Sequence, residues 1–524
     1  MLTNISSNSK HNRLPISVAV ATLLALFSMS LLANQAAGQS DSRYKFDPIA
    51  EKYIAPRVPE GRTPTRDEKS KIASVAREIK ADRKKAANML RGRENLDVAF
   101  LEEFFTNFEF PRMTQSDDET LSNMGKLRAQ FLKEFLSERV VGAPRTTFIE
   151  RVALPRIKAI ADGNYHPSVR LNAVLLAGSI NGVEPNRSTE PQISVPAIDY
   201  LLEVANSETP EYLKVGAMTG LHRNAFFDGK LPQSRMPGAE KRKIETYAAA
   251  ILTQKAAGQS EWSADGNYWL RRRAVQTLGY LKNPAYAKDL IALVNDSNEK
   301  EWIRLDATTA LKDIELAAGD ADAAVMAITA FTAQQVQNEA TGAVDQLAEL
   351  VAVNMLFGNE NLLDGGGGGG GVRDRRGRDG RLQPKIDLAN YQLNQIRRRT
   401  KVIGFSANQA FEAIGQRAAG DKRSTANSAK GILEQLMADI DEGLVDLAAE
   451  VEDDLGDRKL LGGALNDEPP KATADKLAEI LQAAARDLNR LSGVADQAPD
   501  SPEMKKEGPA EGEPNTPDGS NIFG

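Results

Sequence analysis

Trp302-Ile303-Arg304-Leu305-Asp306-Ala307-Thr308-Thr309-Ala310-Leu311 is the stretch whose reading decides the fold. Its centre is an aliphatic residue, a basic residue, two variable residues and Ala, and that pattern occurs three more times. The other copies are Val169-Arg170-Leu171-Asn172-Ala173, Leu213-Lys214-Val215-Gly216-Ala217 and Leu270-Arg271-Arg272-Arg273-Ala274. Four residues beyond each Ala stands a small or aliphatic residue: Ala177, Leu221, Leu278 or Leu311. Recurring similar helices predict a stacked helical array, an architecture that serves binding far more often than catalysis.

The pattern alanines at 173, 217, 274 and 307 lie 44, 57 and 33 residues apart. A two-helix unit of roughly 40 residues, with an insertion after the second copy, accounts for this spacing. Asp228-Gly229-Lys230-Leu231-Pro232 reads as a loop and places the insertion at about 226–238. Each copy alternates with a second apolar helix, at 195–205, 241–255, 284–294 and 321–334, through short links rich in Gly, Pro, Asn or Asp. In such a unit the aliphatic residue faces the neighbouring layer. The Ala sits where helices cross closely, and the basic residue points to the edge.

An acidic residue precedes each base, namely Asp162, Glu208, Asp265 and Asp296. On these residues the chain resembles HEAT-like repeat proteins over about 145–335, the 302–311 stretch being the best match. The resemblance implies an α-solenoid in which acidic and basic side chains form polar ladders between repeats. It therefore implies that Arg170, Lys214, Arg271 and Arg304 are structural, alongside Ala173, Ala217, Ala274 and Ala307. The copy at 210–222 departs most, since Lys214 replaces Arg and Gly216 and Gly220 weaken the helix. A fold of this kind says little about function, because the same array serves many roles, including some lyases.

Outward from the array, the expected organisation is all-α. Residues 1–38 read as a secretory signal, with Lys10, His11 and Arg13, an apolar run to Ala33 and a cut after Ala37 or Gly38. An uncleaved anchor is the competing reading, because about 20 apolar residues can just span a bilayer. Residues 39–62 read as extended, interrupted by Pro48, Pro56 and Pro59. The region 63–144 reads as helical, opened by the capping-box residues Thr65 and Glu68. Its Phe100, Phe104, Phe105, Phe108 and Phe110 read as core closed by Pro111.

The array is expected over 145–360, ending in a helix at 344–357. A Gly/Arg-rich linker follows at 361–383, with seven glycines at 365–371. A small helical bundle or coiled-coil hairpin is expected over 384–493, with dimerisation through 433–491 as an alternative use of its apolar seams. From 494 to 524 the composition predicts disorder.

With no Cys, the chain holds no disulfide, thiolate metal site or Cys nucleophile, which fits a large exported helical protein and suits a bacterial envelope best. His166 and His222 remain after signal removal, and neither has a metal-ligand neighbour at helical spacing. Phosphate-loop, nucleophile-elbow, zinc-protease and calcium-loop motifs are missing, so no catalytic, cofactor or metal residues are assigned.

The formal charge of −6 is balanced overall but locally uneven. Residues 66–93 and 373–401 carry +6 and +7, and 434–457 carry −10. The basic segments fit solvated helix and linker faces, or an anionic membrane or cell-wall surface. Export and the interleaved Asp residues of 373–401 argue against nucleic acid. The functional expectation is a periplasmic, envelope-associated or secreted scaffold without a transmembrane span after signal removal. It would bind a protein or peptide partner; a peripheral surface-binding protein and an enzyme on a HEAT-like frame are the alternatives.

Overall fold

A computed structural model describes residues 43–358, 376–460 and 468–493, apart from positions 57, 59–61, 186–190 and 232–233. The expected signal, the glycine run with most of the linker, and the C-terminal tail lie outside the described residues. The chain is all-α, with a single small antiparallel hairpin among the described residues, β1 (Asn181–Val183) and β2 (Gln192–Ile193). It divides into two compact units, Met1–Asn224 and Ala225–Gly524. The boundary falls inside the helix Glu211–Gly229, within the span expected as one array.

In the first unit, an extended segment at 43–50 leads to a short turn at Glu51–Tyr53. The segment is fastened along its length. Lys45 N–H donates to the Asn164 carbonyl at 2.9 Å, and the Asp47 carboxylate accepts from Arg156 and from the Tyr165 hydroxyl, both at 2.6 Å. Helix α1 (Arg66–Leu90) starts at a reciprocal capping box, in which the Thr65 hydroxyl and the Glu68 carboxylate each satisfy an otherwise unpaired backbone N–H.

Helix α2 (Val98–Phe104) does not stop at Pro111. A π-helical turn, Phe105–Glu109, joins it to α3 (Phe110–Thr114). Proline has no N–H, and its ring clashes with the carbonyl four residues earlier. Widening the preceding turn, with Phe110 N–H reaching the Phe105 carbonyl, lets the chain pass the ring without ending the helix. The device recurs: after α4 (Asp118–Phe135) and α5 (Gly142–Thr147), the π-helical Phe148–Ala153 ends immediately before Leu154-Pro155 and runs into α6 (Leu154–Asp162). Phe104, Phe105, Phe110, Phe131, Phe135 and Phe148 are buried against one another, with Phe105 and Phe148 centroids 4.7 Å apart.

Helices α7 (Pro167–Ser179), α8 (Val195–Asn206) and the start of α9 (Glu211–Gly229) complete this unit. Helix α9 continues through Phe226 and Phe227 to Gly229, and the next begins at Gly238, so the expected insertion at 226–238 is partly helical.

In the second unit, α10 (Gly238–Leu252) packs on α11 (Ala264–Leu281), and both α11 and α12 (Ala287–Asn295) pack on α13 (Glu301–Asp313). Four long helices follow: α14 (Ala318–Gly358), α15 (Arg376–Gly415), α16 (Gly420–Leu460) and α17 (Glu468–Ser492). Every pair among these four is in contact, so they form one bundle.

Two expected boundaries change here. Helices expected at 321–334 and 344–357 are a single helix, because Val336, Ala340 and Ala343 keep the buried face going between them. Helix α15 begins at Arg376, inside the segment expected as linker, and Pro384 stands within it rather than at its start. Seam residues Leu433, Leu436, Ile440, Leu477, Leu481 and Leu488 are buried within the single chain. No described helix is long and apolar enough to cross a membrane.

Candidate functional site

The four repeated bases occupy equivalent places. Each reaches back to a carbonyl at or just beyond the end of the preceding helix. Arg170 Nε donates to Ala161 O at 2.6 Å, and Lys214 Nζ donates to Ala205 O and Ser207 O at 3.1 and 2.5 Å. One Arg271 nitrogen donates to Leu252 O at 3.1 Å, and Arg304 Nε donates to Val294 O at 2.9 Å. The last carbonyls of a helix have no partner within it and carry the negative end of the helix dipole, so a cation placed there meets both needs.

Beyond these carbonyls the bases have further partners, and the charges of Asp162, Glu208 and Asp296 act on Arg170, Lys214 and Arg304. Arg271 pairs with Glu299, Arg304 bonds Gln334 at 2.8 Å and lies over Phe331, and Arg170 bonds the Tyr212 hydroxyl at 3.2 Å. Burial pulls Lys214 below the usual lysine range and lowers the Arg304 pKa as well. Burial raises the Asp162 pKa, with Glu203 adding to the effect and the charges of Arg170 and Lys158 opposing it.

Ala173, Ala217, Ala274 and Ala307 are all buried. Beside them the backbones come into contact in a fixed register. A Cβ on Gly178 would lie 2.6 Å from Gly220 Cα, and a Cβ on Gly279 would lie 2.8 Å from Ala310 Cα. Gly178 and Gly279 each stand five residues after their pattern Ala, whereas Gly220 and Ala310 each stand three residues after theirs. The first and second copies therefore meet in the same register as the third and fourth.

Three polar centres escaped sequence reading. Arg145 is almost fully buried and donates to the carbonyls of Leu136, Val140 and Asn181 at 2.7–3.2 Å, and to Glu184 at 2.8 Å. It ties the end of α4 to the β-hairpin. Nothing in Gly142-Ala143-Pro144-Arg145 announces this role, because its partners are carbonyls up to 36 residues away.

Glu109 is fully buried above the phenylalanine cluster, with Arg83 at 3.1 Å and Arg112 at 3.9 Å. Burial pushes its pKa up despite both guanidinium groups. A lone acid between Phe108 and Phe110 was the available signal.

Asp228 organises the loop after α9, accepting from Ser234 Oγ at 2.5 Å and from the N–H groups of Arg235 and Met236 at 2.7 and 2.9 Å. Met236 is buried beneath the loop, which leaves Ser234, Arg235 and Pro237 exposed.

His166 caps α7, its Nδ1 accepting from Ser168 N–H at 3.2 Å. A cavity lined by Phe110, Met113, Ile157, Val169, Asn172 and Leu176 is apolar, and the Asn172 carbonyl already accepts from Arg128 at 2.6 Å. Among the described residues, no group of three or more His, Asp or Glu is placed to hold a metal ion. Arg145, Glu109 and Asp228 thus serve as polar braces within the fold. No protein-family model, curated protein or solved structure matches this chain.

Proposed function

We propose that the chain is an exported, non-catalytic α-solenoid of HEAT-like repeats that scaffolds a protein or peptide partner in the cell envelope. The observation that carries this reading is the repeated register. Two pairs of pattern helices meet at the same offset, and all four bases cap the helix before them. A unit that repeats its internal bonding extends a surface by addition, which is how helical arrays build long binding faces. Because the bases of the repeated pattern are consumed by helix ends, recognition falls to other exposed positions. The segment 234–237 is the best placed of these, since Asp228 bonds Ser234, Arg235 and Met236 while Arg235 is exposed.

Affinity capture of the full chain from envelopes of its source cells tests the proposal, with the Lys230→Glu/Arg235→Glu variant alongside. The expected result is a stoichiometric protein partner that the variant loses. A wild-type chain that retains nothing beyond a mock capture contradicts the scaffold reading. Mass spectrometry of the mature N-terminus addresses export separately, and a chain still starting at Met1 contradicts the cleaved signal.

A further inference from the structure

Helix α15 presents an apolar stripe to solvent on the side facing away from its own bundle. Tyr391, Val402 and Phe405 are 61%, 44% and 59% exposed, and Arg398 is exposed among them. At about 100° per residue these four positions fall within about 60° of one another, along roughly 21 Å of helix. The opposite face carries Leu393, Ile396, Thr400, Ile403 and Ala407, all buried in the bundle. Large exposed side chains scattered singly need no explanation, but three on one narrow stripe do.

Charge points to the occupant. Between 376 and 401 the helix carries eight Lys/Arg against Asp379 and Asp387, a net of +6. Two of these bases are spent inside the bundle: Arg399 forks onto Glu339 at 2.7 and 2.9 Å, and Lys401 pairs with Asp441. Arg398 lies in the stripe itself, and Arg397 is half-buried along one side. An aromatic and aliphatic strip set among arginines on a helix lying across a surface is the pattern that enters the headgroup region of an anionic bilayer. Tyrosine suits that depth, with its ring in the acyl boundary and its hydroxyl in water.

We infer that α15 is a peripheral docking face for an anionic phospholipid bilayer, with Tyr391, Val402 and Phe405 inserting shallowly and Arg398 engaging headgroup phosphates. A second copy of this chain would be poorly matched, because Arg397 and Arg398 would approach their own counterparts. This inference is independent of which protein the array binds.

The chain has no cysteine, so a single Phe405→Cys substitution carries an environment-sensitive fluorophore without interference. The full-length variant is mixed with phosphatidylglycerol/phosphatidylcholine vesicles and with phosphatidylcholine vesicles, and flotation and emission are read together. The expected result is flotation with anionic vesicles only, a blue shift of the label at 405, and no shift for a label on a Glu138→Cys variant. Tyr391→Ser/Val402→Ser/Phe405→Ser should lose at least tenfold in vesicle affinity, and Arg398→Gln about fivefold. Circular dichroism is expected to match wild type, since all four side chains are exposed. Failure to float with anionic vesicles overturns the inference, as does flotation with an unshifted label at 405. Self-association of the wild type that Phe405→Ser abolishes would also overturn it, by giving the stripe to a second copy.

Discussion

Replacing Gly178 by Ala tests the close crossing of α7 and α9, and its outcome runs against simple helix propensity. Alanine in a helix interior is normally better than glycine by up to about 1 kcal/mol. At Gly178, however, the new methyl would stand 2.6 Å from Gly220 Cα, whereas ordinary contact begins near 3.4 Å. The helices must part by about 0.8 Å, and a gap of that size forfeits a quarter to a half of the dispersion attraction of the contacts around it. Overpacking of this kind costs about 1–3 kcal/mol, so the net expectation is a loss of up to about 2 kcal/mol after the full propensity gain. Gly125 in α4 provides the control, because a Cβ there meets nothing within 4 Å. Urea and thermal midpoints followed by circular dichroism should fall for Gly178→Ala and rise slightly for Gly125→Ala. Equal stabilisation by both substitutions would refute the backbone contact, and with it the shared register of the repeats.

Other substitutions probe the buried polar braces. Lys214→Met leaves the Ala205 and Ser207 carbonyls without their donor and should cost about 1–3 kcal/mol in urea unfolding. Because the folded pKa of Lys214 lies below its unfolded value of 10.5, the unfolded chain binds more protons between the two. Its contribution to stability therefore rises with pH through that window, and the variant should lack this rise in a denaturation series taken up to pH 10.5. Glu109 has the opposite sign: its folded pKa is raised above 4.5, so the stability it lends is full below pH 4.5 and declines as pH climbs through the folded value. Glu109→Gln should flatten that decline, and an unchanged profile would show that Glu109 does not titrate there. Arg145→Met strands Glu184 and the carbonyls of Asn181 and Leu136, and should cost about 3–5 kcal/mol in the same assay. A loss below 1 kcal/mol would remove Arg145 as a brace.

Much of the helical content was legible because it depends on local pattern. Helices at all four pattern copies and the capping box at Thr65 follow from spacing within a few residues. Bonding partners were less accessible. The sequence shows an acid before each base and invites an acid–base ladder, but the acceptors are mostly backbone carbonyls, which every residue carries and no sequence distinguishes. Both π-turns belong to the same class: Pro111 and Pro155 mark a difficulty, and whether the chain stops or widens its helix depends on the core beneath it. The phenylalanine cluster keeps the helix going through Pro111. Contacts across long separations were wholly hidden, such as Asp47 with Arg156, 109 residues apart. Helix α14 runs through Gly342, where Ile396 lies 3.6 Å from the place of a Cβ.

Site-by-site photo-crosslinking in living cells tests the central claim most directly. A photoreactive residue would be placed in turn at exposed positions between 145 and 335, including Arg235, and at buried Ala217 as a control. The scaffold account predicts crosslinks to one defined partner from a contiguous run of exposed positions, with none from Ala217. Crosslinks that are absent throughout, or scattered among unrelated proteins without regard to position, would contradict it.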